Sequence, residues 1–339
     1  MKILYDLINL YKALSKNYDV ILFSENSILY KKIFRNFEIF LKENKVKYLL
    51  ITFNDNLKIK YNLIDNHSFY INFNNLDFLK IFFKNIKKKL IISSTPKFNK
   101  KISHKSNYLI YLQHSLGRLT NKYLSNNLRH FDKITIVNKD QLYDCINQLK
   151  INKKKLLNYK YHNHNFLIQK KKKLNKLRKT ILIASSFYGN HLLSLIDSIF
   201  IEKLLTKYKI ILRPHPEITK NFEMLQKLEI LKKKFTKNNF SISWSPSNEK
   251  DILEADYLVT DFSGIGITFS LSKATPTIFL LKSRLDYKNL EESYSTQYIK
   301  NIAIIDSFSF ENLIKSIEII NKKKKYFKEK INKFKFNQF

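Results

Sequence analysis

The sequence predicts an α/β protein built as two doubly wound, Rossmann-like domains. Three observations lead there. At 339 residues the chain exceeds one ordinary hydrophobic core. Hydrophobic residues make up 44% and aromatic ones 14%, enough apolar material to fold despite a high charge. Short apolar runs alternate with helix-length amphipathic segments, the pattern of a parallel sheet with crossover helices.

In the first half, apolar runs at 20–24, 46–53, 89–94, 108–113 and 133–137 predict strands, and apolar spacing over 27–43 and 74–86 predicts helices. These form a first domain over 1–168. The lysine-dense run 169–178 concentrates like charge that stays solvated, and it reads as a linker. The pattern then restarts. Strands are expected at 180–185, 208–213, 240–244, 257–260, 277–281 and 302–305, with helices at 192–205, 217–234, 265–271 and 310–320, giving a second domain over 179–320. Two such domains facing each other would hold a ligand at the carboxyl ends of their strands. The tail, 321–339, mixes lysines with Tyr326, Phe327, Phe334, Phe336 and Phe339. Two readings stand for it: a helix lying on an anionic bilayer, or a solvated, partly frayed helix packing against the first domain.

Composition removes several function classes. A single cysteine, Cys145, excludes an intramolecular disulfide and a Cys-rich metal site, which fits a reducing cytoplasm. The first residues, Met1 to Asp6, reach an acid before any long apolar run, and no stretch approaches the ~18 apolar residues of a spanning helix. The expectation is a chain that neither spans a membrane nor carries an export signal. Lys plus Arg number 62 against 28 Asp plus Glu, a net charge of +34 that favours phosphate-rich partners. Lysine is nevertheless scattered evenly among Asn and Ile, and no nucleic-acid module accompanies it, so no specific nucleic acid is expected. With Gly117, Gly189, Gly264 and Gly266 as the only glycines, neither a dinucleotide fingerprint nor a Walker loop can be built. His162 and His164 lack Cys or acidic partners nearby and read as loop histidines, leaving no metal site.

Three segments place polar residues directly after an apolar run, where open α/β sheets bind ligands. Tyr108-Leu109-Ile110-Tyr111-Leu112-Gln113-His114 ends in a histidine suited to general-base work or to capping the strand end. In Arg213-Pro214-His215-Pro216 two prolines fix the backbone around His215, and Arg213 supplies a permanent cation, a pairing that suits a phosphate. In Thr260-Asp261-Phe262-Ser263-Gly264-Ile265 a strand runs through a Ser-Gly turn into a helix, so helix N–H groups and the Ser263 hydroxyl would face an anion. An ordinary Asp/Ser helix cap is the competing account of that turn.

Together and in this order, these motifs resemble the CDP-glycerol glycerophosphotransferase family, the teichoic-acid-type polymerases and primases, and more loosely other bacterial capsule transferases of two-domain GT-B architecture. Arg213-Pro214-His215-Pro216 is similar to the family's histidine motif, and Thr260-Asp261-Phe262-Ser263 to its Thr-Asp-Tyr-Ser motif. Gln113-His114-Ser115-Leu116 departs from the family's Trp-His-Gly-Thr, and Gly264 stands where a second serine is usual. Ser185-Ser186-Phe187-Tyr188 also lacks an expected arginine.

The resemblance implies a GT-B fold and a transferase in which His114 activates the acceptor while His215 and Arg213 assist the leaving nucleotide. It implies that Thr260, Asp261, Ser263, Gly264 and Ile265, with Ser185 and Ser186, hold the donor diphosphate. The implied donor is CDP-glycerol or another nucleotide-activated compound, and the acceptor a lipid-linked or saccharide hydroxyl in surface-polymer synthesis. No cofactor is required for such a transfer. The enzyme would be cytoplasmic, with its basic surface placed to meet an anionic membrane at the inner face. A GT-B glycosyltransferase using a CMP- or UDP-sugar fits the same residues. A noncatalytic nucleic-acid- or lipid-binding protein would account for the charge but leave the histidines idle.

Overall fold

Strands buried on both faces read as unbroken apolar runs, and Val20–Ser24 and Thr180–Ala184 are of this kind, every residue in each being buried. Each leads a sheet of its own. In this computed structural model the described residues are 2–24, 34–53, 68–96, 98–113, 117–119, 127–159, 178–187, 191–235, 239–245, 248–283, 286–287, 290 and 296–336. The chain divides into two units, Met1–Ser115 with Leu119–Asn163, and Leu116–Arg118 with His164–Phe339.

The first unit runs α1 (Lys2–Ser15), β1 (Val20–Ser24), α2 (Arg35–Glu43), β2 (Tyr48–Phe53), β3 (Ser68–Phe73), α3 (Leu76–Asn85), β4 (Leu90–Ser93), β5 (Tyr108–Tyr111), β6 (Lys133–Ile136), α4 (Lys139–Tyr143) and β7 (Leu156–Asn158). Its strands are all parallel, in the order β3-β2-β1-β4-β5-β6-β7. One core face packs Ile21, Phe23, Leu49, Phe82 and Phe83, and the other packs Leu22, Phe34, Leu41, Tyr48 and Leu50. Buried Asp6 ties α1 down: its carboxylate accepts from the backbone N–H groups of Asn74 (3.0 Å) and Asn75 (2.9 Å) at the entrance to α3. Sequence periodicity foresees neither α1, β3 nor β7.

The second unit runs β8 (Thr180–Ala184), α5 (Leu192–Leu195), α6 (Ser198–Leu205), β9 (Lys209–Arg213), α7 (Phe222–Phe235), β10 (Phe240–Ile242), α8 (Glu249–Glu254), β11 (Tyr257–Thr260), α9 (Ile265–Lys273), β12 (Ile278–Leu281), α10 (Thr296–Asn301), β13 (Ile304–Ser307), α11 (Phe310–Lys322) and α12 (Lys324–Phe336). Its six parallel strands lie in the order β10-β9-β8-β11-β12-β13. Strand order therefore reverses between β8 and β11, the switch point at which doubly wound sheets bind ligands.

Several boundaries shift for identifiable reasons. The helix expected over 192–205 breaks at Asp197, whose side chain caps the new start by accepting from Phe200 N–H (2.7 Å). The helix expected over 217–234 splits into a 3-10 turn, Pro216–Lys220, and α7, because Asn221 Oδ1 accepts from Met224 N–H (3.1 Å). The strand expected from 302 starts at Ile304, since the N–H groups of Ile302 and Ala303 still bond to Tyr298 O at the end of α10. Most of the expected linker, 169–177, lies outside the described residues. The tail forms α12 and packs against α9 and α11: Phe327 and Ile331 are buried and Phe334 meets the Tyr298 ring at 6.1 Å. Its apolar side is thus turned into the second unit.

Candidate functional site

Parallel pairing aligns the carboxyl ends of β9, β8 and β11. Ala184 pairs with Arg213 on one side and with Thr260 on the other, so Ser185-Ser186-Phe187, Pro214-His215 and Asp261-Phe262-Ser263-Gly264 leave the sheet side by side. The sequence-predicted residues of the second unit are therefore neighbours, and Thr260 Oγ1 links two of the strands by donating to Ala184 O (2.6 Å).

Asp261 is 1% exposed and organises the switch point. Its carboxylate accepts from Ser186 N–H at Oδ1 (2.7 Å) and from Leu192 N–H at Oδ2 (2.6 Å), with Ser185 Oγ 3.4 Å from Oδ2. Both oxygens thus face the chain's own donors, and the carboxylate holds the loop from β8 to α5 in place. A buried anion is tolerated because charge-assisted N–H bonds replace its lost water. Ser185 Oγ in turn accepts from Leu193 N–H (3.0 Å) and donates to Ser186 O (2.9 Å).

Arg213 ends β9 and extends to the next strand. Its Nη1 donates to Asp251 Oδ2 of α8 (2.5 Å) and to Ser243 Oγ (3.3 Å), and its Nη2 donates to Ser245 O (2.7 Å). Ser243 Oγ–H completes the set by donating to the same Asp251 oxygen (2.6 Å). With side chains 14% and 8% exposed, the ion pair is largely buried, and the guanidinium charge is countered within the protein.

His215 is fixed from two sides. Its Nδ1 accepts from Glu217 N–H (3.2 Å), which leaves the proton of a neutral ring on Nε2. Its ring stacks on Phe187 with centroids 4.4 Å apart and planes at 28°, joining the ends of β8 and β9. The two flanking prolines supply the backbone rigidity read from sequence.

At the end of β11 the exposed Gly264 is the N-cap of α9, with no side-chain cap, and Gly266 N–H bonds to Ser263 O (3.1 Å). Asp261 does not cap this helix. The amides of Gly264 and Ile265, ahead of that bond, lie at the positive end of the helix dipole. Further in, Gly266 lies close against the second sheet: a Cβ there would come within 3.1 Å of the Phe279 ring, tighter than ordinary contact.

His114, Ser115 and Leu116 lie outside the described residues, which follow β5 only as far as Gln113, buried with its N–H bonded to Thr135 Oγ1 (2.7 Å). Among the described residues no group of three or more His, Cys, Asp or Glu could hold a metal, and no helix is long and apolar enough to cross a membrane. Cys145 is buried, and burial together with the neighbouring Asp144 pushes its thiol up to about 12.

Several residues that shape this site carry no local sequence signal. Phe187 is one aromatic among many, and Asp251 is 38 residues from Arg213. His191, just before α5, is buried; burial lowers its pKa, the Asp261 charge opposes this and Lys227 adds to it. Among the described residues, Ser186 Oγ and His191 Nδ1 are buried without a hydrogen-bond partner.

Residues 178–339 match the family described as CDP-Glycerol:Poly(glycerophosphate) glycerophosphotransferase, a stretch that spans the whole second sheet and all its site residues. The match bears out the family resemblance read from the Arg213 and Thr260 motifs. The fold is similar to that of the solved wall teichoic acid polymerase TagF, with a TM-score of 0.71 at 16% identity over 99% of this chain and 87% of that one. A histidine-to-asparagine variant of that polymerase soaked with CDPG gives 0.69 at 16% identity, with the same coverage. UDP-GlcNAc 2-epimerase from Methanocaldococcus jannaschii gives 0.55 at 14% identity over 88% of this chain and 91% of that one. No curated protein matches the chain. The architecture of two parallel-sheet α/β units is thus that of GT-B proteins, as the sequence predicts.

Proposed function

We propose that this chain, matched by the glycerophosphotransferase family from residue 178 onward, moves a glycerophosphate group from CDP-glycerol to a hydroxyl of a lipid-linked or saccharide acceptor in teichoic-acid-type polymer synthesis. The observation that carries this reading is the row of strand ends at the switch point: a histidine locked by a ring stack and a backbone N–H ends β9, and two strands along the same row α9 begins with no side-chain cap. In the proposed reaction an acceptor oxygen attacks the β-phosphorus, the bond from that phosphorus to the bridging oxygen breaks, and CMP leaves. His114 takes the acceptor proton. His215 donates a hydrogen bond from Nε2 to the departing phosphate, while Ser263 Oγ and the amides of Gly264 and Ile265 hold the diphosphate. Asp261, Thr260, Ser185 and Ser186 keep these loops in register, and Arg213 acts by positioning, since its charge is already countered by Asp251. Such a transfer is accelerated chiefly by placement and charge stabilisation.

We place the membrane-facing surface on α1 rather than on the tail. α1 buries Asp6, Asn9 and Ala13 but exposes Leu4, Tyr5, Leu7, Ile8, Tyr11 and Leu14, with Lys12 and Lys16 beside them. Its single acid, Asp6, points inward, so the outer face is apolar and basic, as an anionic bilayer requires.

A donor panel tests the activity. Purified protein with acceptor should release CMP from CDP-glycerol, and His114→Ala and His215→Ala should each lose turnover while staying folded. Release of nucleotide from CMP- or UDP-sugars, with CDP-glycerol untouched, would replace this reading with a glycosyltransferase.

A further inference from the structure

Trp244 is the only tryptophan in the chain, and it is 46% exposed just beyond β10. We propose that its indole is the face on which the base of the donor nucleotide stacks, an inference that rests on the nucleotide-donor reading above. Three observations converge on it.

The first is position. Ile242 is in register with Leu212 of β9, and Ser243 N–H still bonds to Leu212 O (2.8 Å), so the chain leaves β10 level with Arg213. Trp244 therefore belongs to the same row of carboxyl ends as His215, Phe187 and Ser263. From the α9 start to β10 that row spans three strand spacings, about 14 Å at ~4.8 Å each, laying out a diphosphate end and a base end along one line.

The second is the frame. The residues on both sides of the indole are held by one buried ion pair: Ser243 Oγ by Asp251 and Arg213, and Ser245 O by Arg213 Nη2. Buried charge thus fixes the backbone of a residue whose own ring stays open to solvent. Nearly half of the indole surface is thus held in place yet open to solvent, a pre-placed surface for a ligand.

The third is chemistry. An indole is large, rigid about two torsions, and presents a π-face that stacks any base. The phosphate-directed groups of the row, His215 and the α9 amides, lie one to three strands away, which leaves this end for the uncharged part of the donor.

Because Trp244 is the sole tryptophan, protein emission reports on it directly. Titration with CMP or CDP-glycerol should change the emission saturably, whereas inorganic pyrophosphate, which has no base, should leave it unchanged. By calorimetry, Trp244→Ala should weaken CMP binding ~10-fold, the loss of one aromatic stack, and Trp244→Phe should bind within ~2-fold of the parent. KM for CDP-glycerol should rise in the alanine variant, and its melting temperature should stay near the parent value because the ring is exposed. CMP binding that leaves the emission unchanged and is as tight in Trp244→Ala would overturn the assignment while leaving the donor reading intact. Absence of any nucleotide binding to the parent protein would remove the donor reading itself, and the assignment with it.

Discussion

Replacing Arg213 by Met separates structure from catalysis at the second strand end. The methionine keeps much of the aliphatic bulk but removes the donors to Asp251, Ser243 and Ser245. Asp251, 8% exposed, would then be a buried carboxylate held by the Ser243 hydroxyl without its cation. Removing one partner of a buried pair costs about 3–5 kcal/mol. The 14% exposure of the arginine side chain places this pair toward the lower end, about 3 kcal/mol. At ~2–4 °C per kcal/mol for a unit of this size, the melting temperature should drop by about 6–12 °C. Arg213→Lys keeps the charge but not the fork, and should fall between. Combining Arg213→Met with Asp251→Leu should recover part of the loss, since the stranded charge is gone too, giving a coupling energy of about 1–3 kcal/mol. Thermal unfolding of the parent, Arg213→Met, Arg213→Lys, Asp251→Leu and the double variant reads this directly. A methionine variant that melts within about 2 °C of the parent but has lost turnover would refute the reasoning, and would return Arg213 to the transferring phosphate.

Three further outcomes follow from the same geometry. Asp261→Asn should lower the melting temperature by about 6–12 °C, because one buried N–H then faces an amide N–H, at about 3 kcal/mol for the lost charged bond and the stranded donor; a melt like the parent's would mean that the carboxylate does not staple the β8 loop. His191 is held below its ordinary pKa by burial, so on acidification below about 6.5 the unfolded chain takes up a proton that the folded one resists, and stability falls with pH. His191→Gln should flatten urea-measured stability between about pH 7 and pH 5, and an unchanged slope would contradict this. Leu7→Glu with Tyr11→Glu on α1 should reduce flotation with phosphatidylglycerol vesicles by roughly tenfold and leave melting little changed; binding unaffected by both charges would remove α1 as the membrane face.

The legibility of this chain divides along physical lines. Fully buried parallel strands are plain in the sequence: 20–24 and 257–260 coincide with β1 and β11, because continuous apolar runs between turns admit little else. β3 is not one of the unbroken apolar runs that mark the other strands, because Ser68, Tyr70 and Asn72 alternate with Phe69, Ile71 and Phe73 at the sheet edge, and β7 has only three residues beside a lysine run, too few to carry a period. α1 gives no stripe to read, because its apolar residues surround most of the helix.

At the site, the motifs located the correct strand ends, yet not what each side chain touches. Asp261, which the local sequence offers as a helix cap or a ligand group, instead bonds to backbone N–H groups 69 and 75 residues away, after β8. Arg213 reads locally as a phosphate cation, and nothing in the sequence signals that the fold brings Asp251 against it. Long-range pairing of single polar residues is what a one-dimensional pattern cannot carry.

The most direct test of the central claim follows phosphorus. In 31P NMR of the parent protein with CDP-glycerol and acceptor, the two diphosphate resonances should be replaced by one phosphodiester and the phosphomonoester of CMP, with no such conversion in His215→Ala. Consumption of the donor without a new phosphodiester on the acceptor, or conversion at the parent rate in the folded His215→Ala protein, would contradict the account.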